Sequence, residues 1–383
     1  METRILIPGT YDLPTKGHEA MWVELSRIGR VIVAVGRNAT KGTCVLQPLT
    51  RASLIGRILS DNKIDGEVML YTGALVDAVQ KIGATFVVRG VRGSTDLEEG
   101  FVFTDHFARC NSVPIVFMPS AAELRGYSSS LVRQMLPLAS MDAEVQRLLP
   151  ESVYRCIRHG ALNMRSRFEE TWKKAEAQGS STQLFENLLL HYGEARREYH
   201  VMEHIRYVLL SLGQLCSSSD LADEERDRLP IAAMEWALWY HDSVENWEQG
   251  GSVAASALVG AAAGFEARLS KDFFRQVKQY IECTQHDHMP QALDEGLVVD
   301  ADLSILGASE PAFDRYEGLI RKEWQSVPEA LFRTHRARIL RQFLERSSIF
   351  CTIPGRNLWE NAARANLTRS IARLESDERL PSL

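Results

Sequence analysis

The sequence predicts two domains of different class: an α/β domain on a five-stranded parallel sheet, followed by an all-α domain. Three observations carry this expectation. Over the first 160 residues, short apolar β-rich runs alternate with helical stretches; after about Gly160 only amphipathic helical segments follow. The 383 residues also exceed one ordinary core, since domains hold about 100–200 residues.

Taken in order, the strand runs are Arg4 to Ile7, Val31 to Val35, Glu67 to Leu70, Thr85 to Val88 and Pro114 to Met118. Near-continuous apolar strands separated by helices read as βαβ units, whose sheets are covered on both faces. Ligands of such sheets collect at the carboxyl ends of the strands, so the loops there are the place to look for chemistry. The junction is expected between Arg158 and Arg165. Beyond it, GSST at 179–182, SSSD at 217–220 and Gly250-Gly251 punctuate the helical segments. The expected domains are residues 1–160 and 165–383.

A net charge of -6 argues against a nucleic-acid polymer as partner, because backbone binding needs an excess of Lys and Arg. No stretch approaches the roughly 18 apolar residues of a membrane span, and the start METRILIPGT lacks a signal-peptide core. A cytoplasmic location without membrane association is the expectation. Six cysteines without paired short spacing read as buried thiols rather than as a zinc, redox or disulfide motif.

The first candidate site follows the first strand directly, at Pro8-Gly9-Thr10-Tyr11-Asp12-Leu13-Pro14-Thr15-Lys16-Gly17-His18. Gly17 permits close approach of phosphate, and His18 sits where a helix begins, with its unpaired N–H groups and partial positive charge. An imidazole there can donate to an α-phosphate as charge builds on it; the plain alternative is a helix cap. Two further strand-to-helix positions carry Arg89-Gly90-Val91-Arg92 and Tyr127-Ser128-Ser129-Ser130-Leu131-Val132-Arg133. Serines at a helix start suit phosphate, or serve as ordinary N-caps.

PGTYDLPTKGH, GALVDA at 73–78, RGVR and YSSSLVR occur in the order and spacing of phosphopantetheine adenylyltransferases, and the resemblance covers about residues 3–160. It implies a Rossmann-like nucleotidyltransferase fold in which an acceptor phosphate attacks the α-phosphate of ATP, with Mg²⁺, releasing pyrophosphate. Thr10, Lys41, Leu75 and Arg89 would then bind phosphopantetheine. Gly9, Thr10, Gly17, His18, Arg92, Glu99, Ser128, Ser129 and Ser130 would hold ATP, with His18, Lys41 and Arg92 catalytic. No general base is needed, since the attacking phosphate is already ionised. Departures are Glu123-Leu124-Arg125-Gly126-Tyr127 in place of an aromatic-rich approach, and an acidic run Asp96-Leu97-Glu98-Glu99-Gly100 in which Glu99 substitutes for the family's glutamate only with a backbone shift. Another phosphorylated acceptor is the alternative. The family also implies a homo-oligomer, often a hexamer.

Seven of the ten histidines follow residue 165. His200 and His204 lie four apart, which places them on one helical face. His241-Asp242 ends a second helix, and Asp300 and Asp302 share a third element. Imidazole with carboxylate suits Mn, Fe, Zn or Mg and the activation of water against phosphorus. The run from YGEARREYHVMEH through ALWYHD, TQHDH, DADLSILG, YEGLIRKEW and ENAARANL resembles the predicted metal-dependent HD-superfamily phosphohydrolases over about 165–375. That resemblance implies His204, His241, Asp242 and Asp302 as metal ligands, with Asp300 competing for the last place, and His200 as the acid for the leaving oxygen. His286 and His288 would bind phosphate or a second metal, or form a polar loop. Arg321, Arg336 and Arg364 could meet phosphate but are read as solvated or salt-bridged. Ser252-Val253 stands where the family commonly has Asn-Glu, which leaves a non-hydrolytic nucleotide sensor or assembly module as the alternative.

Overall fold

The computed structural model describes residues 2–36, 44–71, 75–108, 113–245 and 250–376, excepting the side chains at 99, 102, 103, 105, 106, 108, 139 and 159. The chain divides into two compact units, residues 1–160 with 193–195, and residues 161–192 with 196–383.

The first unit carries strands β1 (Arg4–Gly9), β2 (Arg30–Val35), β3 (Gly66–Leu70), β4 (Phe86–Val91) and β5 (Ile115–Pro119) in one parallel sheet ordered β3-β2-β1-β4-β5. Helices α1 (Lys16–Ser26), α2 (Pro48–Asp61), α3 (Leu75–Ile82), α4 (Ser94–Ala108), α5 (Ser129–Met135), α6 (Asp142–Leu148) and α7 (Glu151–Ile157) alternate with and follow the strands. Central β1 buries Ile5, Leu6 and Ile7, and β2 buries Val31 to Val35, as strands covered on both faces must. Leu6, Ile32, Ala34, Val79, Val87 and Phe107 form a core cluster between sheet and helices. The strand order reverses between β1 and β4, so their carboxyl ends open a crevice there.

The second unit is helical: α8 (Arg165–Lys174), α9 (Ser181–Tyr192), α10 (Met202–Cys216), α11 (Asp223–Asp227), α12 (Ile231–Tyr240), α13 (Ser252–Glu266), α14 (Lys271–Cys283), α15 (Leu293–Leu303), α16 (Glu310–Glu323), α17 (Glu329–Leu344) and α18 (Ile353–Glu375). Helix α12 is apolar all round and buried along Ala233–Tyr240, which makes it the central helix. Its one carboxylate, Glu235, is paired there with Arg167, Lys174 and Thr171. Among the described residues no helix is long and apolar enough to cross a membrane. The five described cysteines are free thiols, but only Cys156 and Cys283 are buried; Cys44, Cys216 and Cys351 are half-buried.

Asp300 and Asp302 part company on α15. Two residues turn a helix by about 200°, so both cannot face one site. Asp300 is buried and accepts from the backbone N–H groups of Cys351 (2.6 Å) and Thr352 (2.8 Å) and from the Thr352 hydroxyl, fixing the entry to α18. Replacing it by alanine strands three donors. Asp300→Ala is expected to destabilise the second unit by about 3 kcal/mol, read from urea unfolding of the chain.

Candidate active sites

The first site is built by the link from β1 to α1. Gly9 ends the strand with the Tyr11 ring packed where a side chain would stand: a Cβ would lie 2.5 Å from it. Tyr11 and Leu13 then take positive φ, 50° and 65°, although neither is glycine. Such residues persist where surroundings over-determine them. Tyr11 and Leu13 are buried, and the Tyr11 hydroxyl donates to the Ile7 carbonyl at 3.0 Å. Asp12, 2% exposed, accepts from the amides of Val45 (3.0 Å) and Leu46 (3.2 Å) and from Arg133 Nη1 (3.0 Å). One carboxylate thus ties three segments together. Buried Arg51 reaches the same loop, donating to the Thr10 carbonyl.

His18 lies in the first turn of α1, between the rings of Tyr11 (5.2 Å) and Trp22 (6.2 Å). The Thr15 backbone N–H donates to its Nδ1 at 3.0 Å. An amide can only donate, so Nδ1 is the acceptor and the neutral ring carries its proton on Nε2. His18 lines a cavity of about 200 Å³ with Gly9, Thr10, Gly17, Arg89, Arg92, Ser129 and Ser130. Arg92 is held by both oxygens of Asp96 (2.8 and 3.1 Å). The serine hydroxyls have protein partners: Ser128 caps α5 through the Leu131 amide, Ser129 donates to the Leu13 carbonyl, and Ser130 accepts from Arg133. Leu75 packs against the core cluster rather than lining this cavity. Lys41 and the Glu99 side chain lie outside the described residues. Position 100 has no room for a side chain, because a Cβ there would run into the Phe117 ring.

The second site gathers His204 from the first turn of α10, His241 and Asp242 from the end of α12, and Asp302 from the last turn of α15. One donor atom from each lies within 4.8 Å of the others. His241 Nε2 is 3.2 Å from His204 Nε2, 3.0 Å from Asp242 and 3.2 Å from Asp302; His204 Nε2 is 3.3 and 3.4 Å from the two carboxylates. Separations of this size belong to ligand atoms sharing one cation at about 2.1 Å. The His241 Nδ1 lies 2.9 Å from the Leu238 carbonyl, which can only accept, so Nδ1 carries a proton and Nε2 offers its lone pair in the neutral ring. Burial opposes charge on Asp242 and Asp302, yet His241 and the neighbouring imidazoles hold both carboxyls well below their usual range. The donor set fits a divalent metal.

The expected pair of histidines on one helical face is corrected here: α10 begins at Met202, and His200 precedes it. The cause is Glu323, a buried carboxylate that accepts from three successive amides, Glu198, Tyr199 and His200 (2.8–2.9 Å), and meets His200 Nδ1 at 2.7 Å. Those amides are thereby held out of helical pairing. Buried Arg197 donates to the carbonyls of His200 and Asp242 (3.1 and 2.8 Å) and so fastens the two segments together. Burial works to lower the His200 imidazole, but Glu323 and Asp242 raise it to about 9. His286 joins the cluster through Asp302 (3.0 Å), while His288 is exposed and pairs with Asp287. Arg336 is neutralised by Glu317, Arg321 pairs with Glu329, and Arg364 with Glu360.

No family model matches the chain. Its N-terminal part is similar to proteins named phosphopantetheine adenylyltransferase. One from a Nocardioides species is 31% identical over 164 residues, 43% of this chain and 97% of the relative. One from Rhizobium rhizogenes is 32% identical over 169 residues, 40% and 94% of the two chains. One from Geobacter sulfurreducens is 31% identical over 161 residues, 41% and 95%. Through this part, the chain belongs to the phosphopantetheine adenylyltransferase family.

Three residues of the adenylyltransferase-like unit escaped the sequence reading. Asp12, Arg51 and Arg133 all act through partners 15 to 121 positions away, and only the motif context of Asp12 and Arg133 hinted at them. Asp12→Asn weakens charge-assisted bonds worth about 1.5–3 kcal/mol. Amide hydrogen exchange at Val45 and Leu46 is therefore expected to quicken by at least about tenfold.

Proposed function

We propose that the first unit transfers the adenylyl group of ATP to 4'-phosphopantetheine, giving dephospho-CoA and pyrophosphate. The observation that carries this is the His18 imidazole, whose proton is directed to Nε2 by the Thr15 amide, on the wall of a cavity shared with Arg89 and Arg92. Family membership over nearly the full length of the relatives supports it.

In this reading ATP enters as its Mg²⁺ complex at the start of α1. An oxygen of the acceptor phosphate forms a bond to the α-phosphorus, and the bond from that phosphorus to the β-bridging oxygen breaks. Negative charge rises on the α-phosphoryl oxygens, where the Nε2–H of His18 is the donor. Arg89 orients the acceptor phosphate and Arg92 the departing pyrophosphate. Gly17 leaves room for the phosphate chain, since a Cβ there would meet no protein atom nearer than 3.5 Å. Thr10 and Lys41 are assigned to phosphopantetheine on the resemblance, and Leu75, which stands against the core cluster, would meet the acceptor only outside the cavity that His18 lines.

His18→Ala is expected to lower kcat for pyrophosphate release by about 10²–10³-fold, and robust turnover in that variant defeats the role. Gly17→Ala should keep the melting temperature but raise the KM for ATP.

For the second unit we infer an HD-type phosphoester hydrolase, carried by the four convergent donors. His204, His241, Asp242 and Asp302 would hold a divalent cation, which supplies an acidified water and a polarised phosphoryl oxygen when bound. His200, kept charged by Glu323, delivers its proton to the leaving oxygen. Glu323 and Arg197 act as positioning residues for that ring. The full chain is expected to bind about one equivalent of Mn²⁺ or Zn²⁺, with affinity reduced by more than about 100-fold in His241→Ala and in Asp302→Asn. Metal content unchanged in both variants would falsify the assignment. Bound metal without turnover of any phosphoester would favour the sensor reading instead.

A further inference from the structure

The second unit holds a cavity of about 410 Å³ beside the four-donor cluster, within the range of about 300–1,000 Å³ typical of small-molecule sites. Its lining is of two kinds. One kind is the donor group His200, His204, Asp242 and Asp302. The other is apolar: α17 contributes Ile339, Leu340 and Phe343, and the turn after α15 contributes Ile305 and Leu306. The α17 positions 336, 339, 340 and 343 recur at helical spacing, so one face of that helix forms a continuous wall. Ile339 is 40% exposed, an aliphatic side chain left open to whatever enters.

The charges narrow the ligand further. Arg336 lines the cavity, but Glu317 (2.5 Å) and the Tyr316 hydroxyl (2.7 Å) already occupy its guanidinium. Arg346 lies over the Phe343 ring at 4.6 Å and donates to the His286 carbonyl. Beyond the histidines, among the described residues one cation on this cavity, Arg346, is thus left to supplement the cluster, which suits one phosphoryl group and not a polyphosphate chain. Among the described residues, the carboxylates on this cavity are Asp242 and Asp302, both committed to the cluster. None remains to pair with the hydroxyls of a sugar.

We propose that this second site takes phosphate monoesters whose alcohol part is apolar, alkyl or aryl, with at most a few amide groups met by Gln285 and Gln342 at the cavity. The proposal rests on the hydrolase reading above and adds the substrate class. In the reaction, the oxygen of water forms the new bond to phosphorus and the bond from phosphorus to the alcohol oxygen breaks. The His200 proton passes to that oxygen, and the proton lost by water goes to solvent, leaving the free alcohol and orthophosphate.

The test uses the full chain loaded with Mn²⁺. Orthophosphate release is measured without ATP from phenyl phosphate, 4'-phosphopantetheine, AMP and glucose 6-phosphate, with His241→Ala as background. The first two are expected to exceed the last two in kcat/KM by at least about tenfold. In parallel, calorimetry compares phenylphosphonate, which is not cleaved, with orthophosphate. Phenylphosphonate should bind about tenfold more tightly, and Ile339→Asp and Phe343→Ala should each erase the difference. Equal or better cleavage of AMP or glucose 6-phosphate overturns the substrate class while leaving the hydrolase reading intact. If no ester is cleaved, the hydrolase reading fails, and calorimetry decides alone: phenylphosphonate no tighter than orthophosphate overturns the proposal as well.

Discussion

Both sites depend on a buried carboxylate that accepts hydrogen bonds from backbone amides where the chain leaves regular structure. Asp12 does this for the segment at 45–46 and Glu323 for the segment at 198–200. A buried amide without a partner costs about 1–3 kcal/mol, so a loop that must enter a core next to a site needs such an acceptor. Each carboxylate in turn needs its own counter-charge. Arg133 serves Asp12, and the His200 imidazole serves Glu323, which is why loop, helix start and site side chain are fixed together in each unit.

That constraint reaches the chemistry through the imidazoles. In each of three histidines one ring nitrogen is committed to the scaffold, and the partner decides what the other can do. An amide at His18 Nδ1 makes Nε2 a donor, suited to phosphate oxygens. A carbonyl at His241 Nδ1 makes Nε2 a lone-pair ligand, suited to a cation. A carboxylate at His200 Nδ1 stabilises the doubly protonated ring, suited to giving a proton away. Three uses of one side chain thus follow from three backbone or carboxylate neighbours within about one helical turn or brought in from α16.

The parallel sheet was legible because strands buried on both faces are apolar runs, and the starts of α1 and α5 because motifs mark them. What escaped depends on partners far along the chain. His200 looked helical from its spacing to His204, and only Glu323, 123 positions later, draws it out of the helix. Of Asp300 and Asp302 the resemblance singled out Asp302 for the cluster, but the structural task of Asp300 was not legible, because it depends on the start of α18, 52 positions later. Arg51 offered no motif at all, since its partners are carbonyls of the β1 and β2 ends. Periodicity reports which face an element buries. It does not report which distant donor will claim a given acceptor.

The glycines of the first site separate demands of folding from demands of a ligand. At Gly9 the protein itself forbids a side chain, because the Tyr11 ring fills the place, and at Gly100 the Phe117 ring does the same. At Gly17 nothing in the protein does: an added methyl would find its nearest atom 3.5 Å away, an ordinary contact, and the space beyond is the cavity. Packing therefore accounts for the first two and leaves the third unexplained by the fold. A glycine there without steric cause is what the proposed function calls for, since it lets a phosphate chain approach the backbone from outside. The positive end of the α1 dipole beside that space suits an anion, as the proposed ATP phosphates require.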